Sequence, residues 1–372
     1  MLFLQLRNSF CSILYPFSFL RLKNKKNMCY ISHMKALFYC TAAILWLTLA
    51  ACQRDDTPTP ATSPWQEVAT PVILNNPQGL YFVDEETGWF YGWPTSNLRE
   101  PGMLHTVDGG TTWKFIDLSS LSISGFRAFC PVNNQLIYAC GVDLTSVPPQ
   151  PDRPIYKSTN GGDIWQKLPS LGLDGSFALH FFDEQVGISA NTNVVQRTSD
   201  GGQSWSTVYE TPGFGGLNRL EFPSPTTGYA AGGLFFDATN AGTLLKTTDG
   251  GQNWQELPWS YGCITTISFL SPELGFVSTT TSGLLRTTDG GRSWQTISIN
   301  APSSDIGGFT TPLIGYLSHN NTLWRSTDGG HRWQADYTLA DTKSIFTGLC
   351  FPTPTLGFAV NRNGTLLKKI TP

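Results

Sequence analysis

A nine-residue phrase occurs six times in this chain, as HTVDGGTTW (105–113), KSTNGGDIW (157–165), RTSDGGQSW (197–205), KTTDGGQNW (246–254), RTTDGGRSW (286–294) and RSTDGGHRW (325–333). Six copies cannot be six versions of one active site, so the chain is built from a repeated structural unit. Each copy reads as a strand ending at Ser/Thr-x-Asp, a turn at the two glycines, and a new strand opening at Trp. Glycine supplies the positive φ of a tight turn. An aspartate oxygen can hold backbone N–H groups two residues on, and tryptophan can fold back over the turn with a large apolar face. The structural set is Asp108, Trp113, Asn160, Trp165, Asp200, Trp205, Asp249, Trp254, Asp289, Trp294, Asp328 and Trp333. Asn160 keeps an acceptor oxygen, so its turn should survive the loss of charge.

Upstream of each turn lies a second signature: an apolar stretch ending in Phe, then a turn, then Gly. It occurs as Phe82/Gly88, Phe181/Gly187, Phe222/Gly228, Phe269/Gly275, Phe309/Gly315 and Phe351/Gly357, with a looser copy from Phe129 to Tyr138. Successive Phe positions are 47, 52, 41, 47, 40 and 42 residues apart. Four short strands fit each unit, bounded by Gly, Pro, Asn or Ser and without a helical period. This predicts an all-β fold, a β-propeller of seven four-stranded antiparallel blades. Seven units but six turns leave the last blade one strand short, because the chain ends LLKKITP (366–372) where a turn should begin. Trp65-Gln66-Glu67-Val68 matches Trp254-Gln255-Glu256-Leu257 and has no preceding three strands. Residues 65–68, from Trp65 to Val68, are therefore expected to complete the blade begun near residue 349 and close the ring, removing an exposed sheet edge.

The phrase resembles the Asp box, or BNR repeat, of sialidases, sortilin-type receptors and the photosystem II stability/assembly-factor propellers. The last family is the nearest in pattern. It shares seven blades and (Lys/Arg)-Thr-x-Asp-Gly-Gly-x-x-Trp turns, and the likeness covers nearly all of residues 65–372. It implies a non-enzymatic scaffold that holds a membrane protein during assembly. The sialidase resemblance stops at the boxes. A sialidase active site implies an arginine triad and a Phe/Tyr-Arg-Ile-Pro signature, and the nearest stretch here is Phe126-Arg127-Ala128-Phe129. A xyloglucanase-type glycosidase implies two facing propellers, and this chain carries one.

The domain reading is a signal region (1–52), a tether (53–64) and the propeller (65–372). Met34-Lys35 precedes the apolar run 36–48 and then Leu49-Ala50-Ala51-Cys52, the pattern of a secretory signal. Its ending resembles the lipobox of bacterial lipoproteins, with Cys52 as the lipidated residue and the true start at Met34 or Met28. The expected location is the bacterial envelope, anchored to a membrane on its periplasmic or outer face. The proline-rich residues 53–64 read as a tether. Six of the 24 Lys/Arg residues and no acid lie in the first 52 residues, leaving 18 bases against 27 acids. A surface of that sign argues against nucleic acid as a partner. Cys130, Cys140, Cys263 and Cys350 read as mostly buried free thiols.

Repeat folds carry function in insertions on one face. The connections 92–101, 141–154 and 231–242 are long, and the link 259–262 leaves the ring on the same rim. They carry the candidate binding residues Trp93, Arg99, Glu100, Asp143, Asp152, Arg153, Phe235, Phe236, Asp237, Trp259 and Tyr261. Aromatic and arginine side chains on one rim suit a protein or glycan partner. A glycosidase pair among the rim carboxylates is the alternative. No catalytic motif, cofactor motif or metal-ligand spacing emerges, and the chain is expected to be monomeric. The basic residues three before each Asp position (His105, Lys157, Arg197, Lys246, Arg286, Arg325, Lys368) read either as a girdle for an acidic partner or as local packing.

Overall fold

β-Branched and aromatic runs cut by Gly-, Pro- and Asn-containing turns form short strands here, none longer than nine residues. The structure, a computed structural model, describes residues 63–94, 101–143, 154–169, 178–212, 216–233, 242–298 and 307–369. They form seven four-stranded antiparallel sheets, six of them meanders of consecutive strands. Blade four is typical: Leu217–Glu221, Gly228–Gly233, Gly242–Thr247 and Gln255–Glu256. The first strands of successive blades touch one another and form the inner wall of the ring.

Blade seven pairs Phe346–Cys350, Gly357–Asn361 and Leu366–Lys369 with Trp65–Val68 as its outer strand. The register is Trp65↔Lys369, Gln66↔Lys368, Glu67↔Leu367 and Val68↔Leu366. The amino-terminal strand thus closes the ring as its sequence predicts. Trp65 is 3% exposed, and its indole donates to Asp336 Oδ2 of blade six at 2.6 Å.

One packing unit recurs between blades. The Phe that ends strand one lies over the Gly that opens strand two; a methyl group at Gly228 would collide with Phe222, and one at Gly275 with Phe269. That Phe then stacks on the aromatic of strand two from the preceding blade: Phe82 on Phe358, Phe181 on Tyr138, Phe269 on Tyr229, Phe309 on Phe276 and Phe351 on Tyr316, with centroids 3.5–4.2 Å apart. The turn Trp meets the same ring edge-on, as Trp254 does Phe222 at 6.0 Å and 84°. Trp65 meets Phe351 at 6.2 Å and 77°, so the closing strand brings the indole that the missing turn would have brought.

The residue before the Phe reaches the next blade. Cys130 Sγ accepts the N–H of Phe181, Ser268 Oγ that of Phe309, and Glu221 that of Phe269. Cys350 does the same for Phe82. All four described cysteines are free. Blade two departs from the pattern. Its register pair is Pro131↔Ile137, so the equivalent of the Phe is Pro131 and not Phe129. With no N–H to offer at Pro131, the preceding blade supplies Tyr81, which packs on Phe129 at 5.3 Å. Trp165 packs on Phe126 at 5.0 Å and Phe129 at 6.3 Å.

Candidate functional site

The ring has two unlike rims. One carries the Asp-Gly-Gly turns together with the hairpins joining strands one and two, because the first glycine of each turn donates its N–H to that hairpin: Gly109 to Glu86 O, Gly201 to Gln185 O and Gly290 to Glu273 O, at 2.8–2.9 Å. The other carries the connections between strands two and three and the links between blades. There the N–H of Asn76 donates to Arg362 O at 2.7 Å and Thr281 Oγ1 to Tyr261 O at 2.9 Å.

The turns are internally satisfied. Thr106 Oγ1 accepts the N–H of Gly110 and donates to Asp108 Oδ1, both at 2.9 Å. Asp108 Oδ1 then accepts the N–H groups of Thr111 and Thr112. The carboxylate therefore reaches three and four residues on, not the two expected, because it spans the whole double-glycine turn. The Thr112 hydroxyl on Oδ2, with the backbone N–H groups behind it, holds the Asp108 carboxyl at about 2. Ser204 does the same for Asp200 and Ser293 for Asp289, both at about 2. Asn160 Oδ1 accepts from Ser158 Oγ and from the N–H of Ile164, so the uncharged copy keeps the bonds through one oxygen.

The basic residues are local packing. Each pairs in register with the second residue of strand two, and in five blades the cation or imidazole lies against its ring. His105 stacks on Trp89 at 5.0 Å, and the cations of Lys157, Lys246, Arg286 and Lys368 sit 5.3–5.8 Å from Tyr138, Tyr229, Phe276 and Phe358. Two reach the next blade as well: Lys157 Nζ is 2.8 Å from Glu184, and Lys246 Nζ donates to Gly290 O at 2.9 Å. The girdle reading gives way to cation-over-ring packing within the blade.

On the opposite rim, Trp93 and Asp143 end the second strands of blades one and two, opposite Asn75 and Ile123. Their side chains lie outside the described residues, as do Arg99, Glu100, Asp152, Arg153, Phe235, Phe236 and Asp237. Trp259 and Tyr261 are described, and both are half-buried. The Trp259 indole donates to Gly262 O at 2.7 Å and packs edge-on against Tyr261 (5.3 Å) and Trp294 (5.5 Å). Trp259 is thus held in place against Trp294 of blade five.

Sequence reasoning did not single out Glu221. This carboxylate lies at the end of the first strand of blade four, partly buried, and both oxygens lie 3.1 Å from the N–H of Phe269. Burial pushes its pKa up to about 8, and the donated N–H works against the shift. Among the described residues no group of three or more His, Cys, Asp or Glu side chains could hold a metal ion.

No known sequence family matches this chain, and neither does any curated protein. Solved structures do. One described as YCF48 bound to D1 peptide superposes with a TM-score of 0.63 at 20% identity, covering 83% of this chain and 97% of the other. YCF48 from Cyanidioschyzon merolae gives 0.62 at 18%, covering 82% and 98%. A GH74 xyloglucanase from Xanthomonas campestris gives 0.60 at 15%, with 82% of this chain matched to 53% of that enzyme. At these identities the likeness is one of fold.

Proposed function

We propose that this chain is a non-enzymatic envelope lipoprotein, anchored through Cys52, that binds a protein segment with the rim opposite its Asp-Gly-Gly turns. The asymmetry of the rims carries the reading. The turn rim consumes its polar groups in its own hydrogen bonds, whereas the three long connections leave from the other rim. A propeller of the same fold is recorded with a peptide bound. The aromatic and arginine residues of the connections suit such a contact. A purified chain beginning at residue 53 should capture a partner from detergent-solubilised envelope. The Trp93→Ala/Phe235→Ala/Phe236→Ala variant should lose that capture with its fold intact, and undiminished capture would remove this rim from consideration. Radiolabelled palmitate should enter the full chain and not Cys52→Ala. Failure there would return the amino terminus to an ordinary signal.

A second reading is glycan binding or hydrolysis, favoured by the match to half of a xyloglucanase. Turnover of β-glucans that disappears on replacing Glu100, Asp152 or Asp237 would overturn the scaffold reading.

A further inference from the structure

The inner wall of the ring encloses a cavity of about 440 Å³ between the first strands of blades seven, one, two, three and four. Its lining is unlike the rest of the molecule. Outside the first 52 residues the chain is acidic, yet the residues around this cavity include Arg127 and Arg219 and no carboxylate. Tyr81 and Phe129 form an aromatic side, and Asn218 and Thr347 add polar groups.

The backbone explains why these side chains face the axis. A strand this far inside a propeller should alternate between its two neighbours. Instead, the pairing of strands one and two slips by one residue in several blades. In blade two Phe126 pairs with Gly141 and Ala128 with Cys140, leaving Arg127 as the extra residue. The same slip leaves Asn218 in blade four and Thr347 in blade seven. A β-bulge takes one residue out of the ladder and re-aims its side chain. Three separate bulges therefore deliver Arg127, Asn218 and Thr347 to one cavity. Arg219, next to Asn218, is braced there: its Nε donates to Thr265 O at 3.0 Å and its Nη1 to Asn218 O at 3.1 Å. Thr347 Oγ1 is buried and has no hydrogen-bond partner. Such a hydroxyl carries a cost unless something arrives to accept from it.

The geometry points to an axial binding site for a small organic oxyanion, a carboxylate or phosphate, gripped by Arg127 and Arg219 with the Thr347 hydroxyl as a further donor. Guanidinium groups match the planar or forked oxygens of such anions. A cavity of this size suits a small molecule. Tyr81, pushed up to about 12 by burial, stays neutral and leaves the guanidiniums as the charge of the site. The proposal is independent of the rim and of the lipid anchor.

Citrate, inorganic phosphate and benzoate are the probes, each titrated calorimetrically into the chain beginning at residue 53. At least one should bind with one-to-one stoichiometry and raise the thermal midpoint. Arg127 is exposed to the channel, so Arg127→Gln should fold normally by circular dichroism and weaken binding about tenfold or more, the loss expected for a hydrogen bond to a charged group. Arg127→Lys should recover part of it, and Thr347→Val should cost a few-fold, on the order of one neutral hydrogen bond. Citrate over phosphate would identify a carboxylate ligand and the reverse order a phosphate. Equal affinity in the parent chain and Arg127→Gln would overturn the site, and so would the absence of binding by all three probes.

Discussion

In blade four the outer strand follows the third through a hydrogen-bonded turn at Asp249, and Trp254 comes to rest against Phe222. In blade seven the outer strand arrives from the other end of the chain, and Trp65 comes to rest against Phe351 in nearly the same geometry. Blade seven dispenses with the turn and keeps the indole on the Phe ring. The position of Thr247, which accepts the N–H of Gly251 in blade four, is taken in blade seven by Lys369, buried and bonded to the Tyr316 hydroxyl. Without a turn to organise, the position is free to reach into the preceding blade. What holds a blade's edge is therefore the apolar contact, and the Asp-Gly-Gly turn is a local device for delivering it.

The largest expected effect follows from that ranking. Trp65→Ala removes a buried indole and should destabilise the protein by about 3–5 kcal/mol, a large share of a typical total of roughly 5–15 kcal/mol. Trp254→Ala should cost no more than this, since its strand stays tethered by the chain on both sides. Urea denaturation of the two variants compares them, and a milder effect at Trp65 would reverse the ranking.

Next come the glycines beneath the rings. Gly228→Ala should cost about 1–3 kcal/mol by overpacking against Phe222, as should Gly357→Ala against Phe351. In a Phe222→Ala background the Gly228→Ala penalty should largely vanish, a non-additivity that thermal unfolding of the double variant measures.

The residue before the Phe separates the two blades by pH. Glu221 holds it in blade four and Cys350 in blade seven. A carboxyl raised from 4.5 to about 8 favours the folded state most when protonated. Its contribution is complete below about pH 4.5 and is lost as pH rises towards 8. Glu221→Gln, which keeps an acceptor for the Phe269 N–H, should stabilise the protein at pH 7 and do nothing at pH 4. Stability curves at the two pH values decide this, and an equal gain at both would refute it.

The turns themselves should give the smallest and most local effect. Asp200 is held below its ordinary 3.8, at about 2, so its bonds are intact above pH 3.8 and are lost as pH falls through 2. The Ser204 amide should lose protection from hydrogen exchange over that range. The Ile164 amide, held by Asn160, should not.

Much of this organisation was legible in the sequence because it repeats. Trp65-Gln66-Glu67-Val68 could be placed as an orphan outer strand only by comparison with residues 254–257. The role of the strand-two glycines was not legible, since it comes from a ring overhead rather than from a turn. The Phe129 alignment was off by two because blade two carries Pro131 where other blades carry Phe, and an aromatic nearby invited the wrong match. The axial cluster left no trace at all: a bulge changes which way Arg127, Asn218 and Thr347 point without changing the alternation of residue types around them. For the rim, sequence still carries the weight, because most of its named residues lie outside those the structure describes.

The closure of the ring can be tested by trapping it. Gln66 and Lys368 are directly opposed in the antiparallel pair, where Cα atoms lie roughly 4.5–5.5 Å apart, within the span of a disulfide. Gln66→Cys/Lys368→Cys should cross-link quantitatively within single molecules on mild oxidation and raise the unfolding midpoint, whereas Gln66→Cys/Asn363→Cys should not cross-link. A failure of the first pair to cross-link, or equal cross-linking by the second, would contradict a propeller closed by its amino-terminal strand.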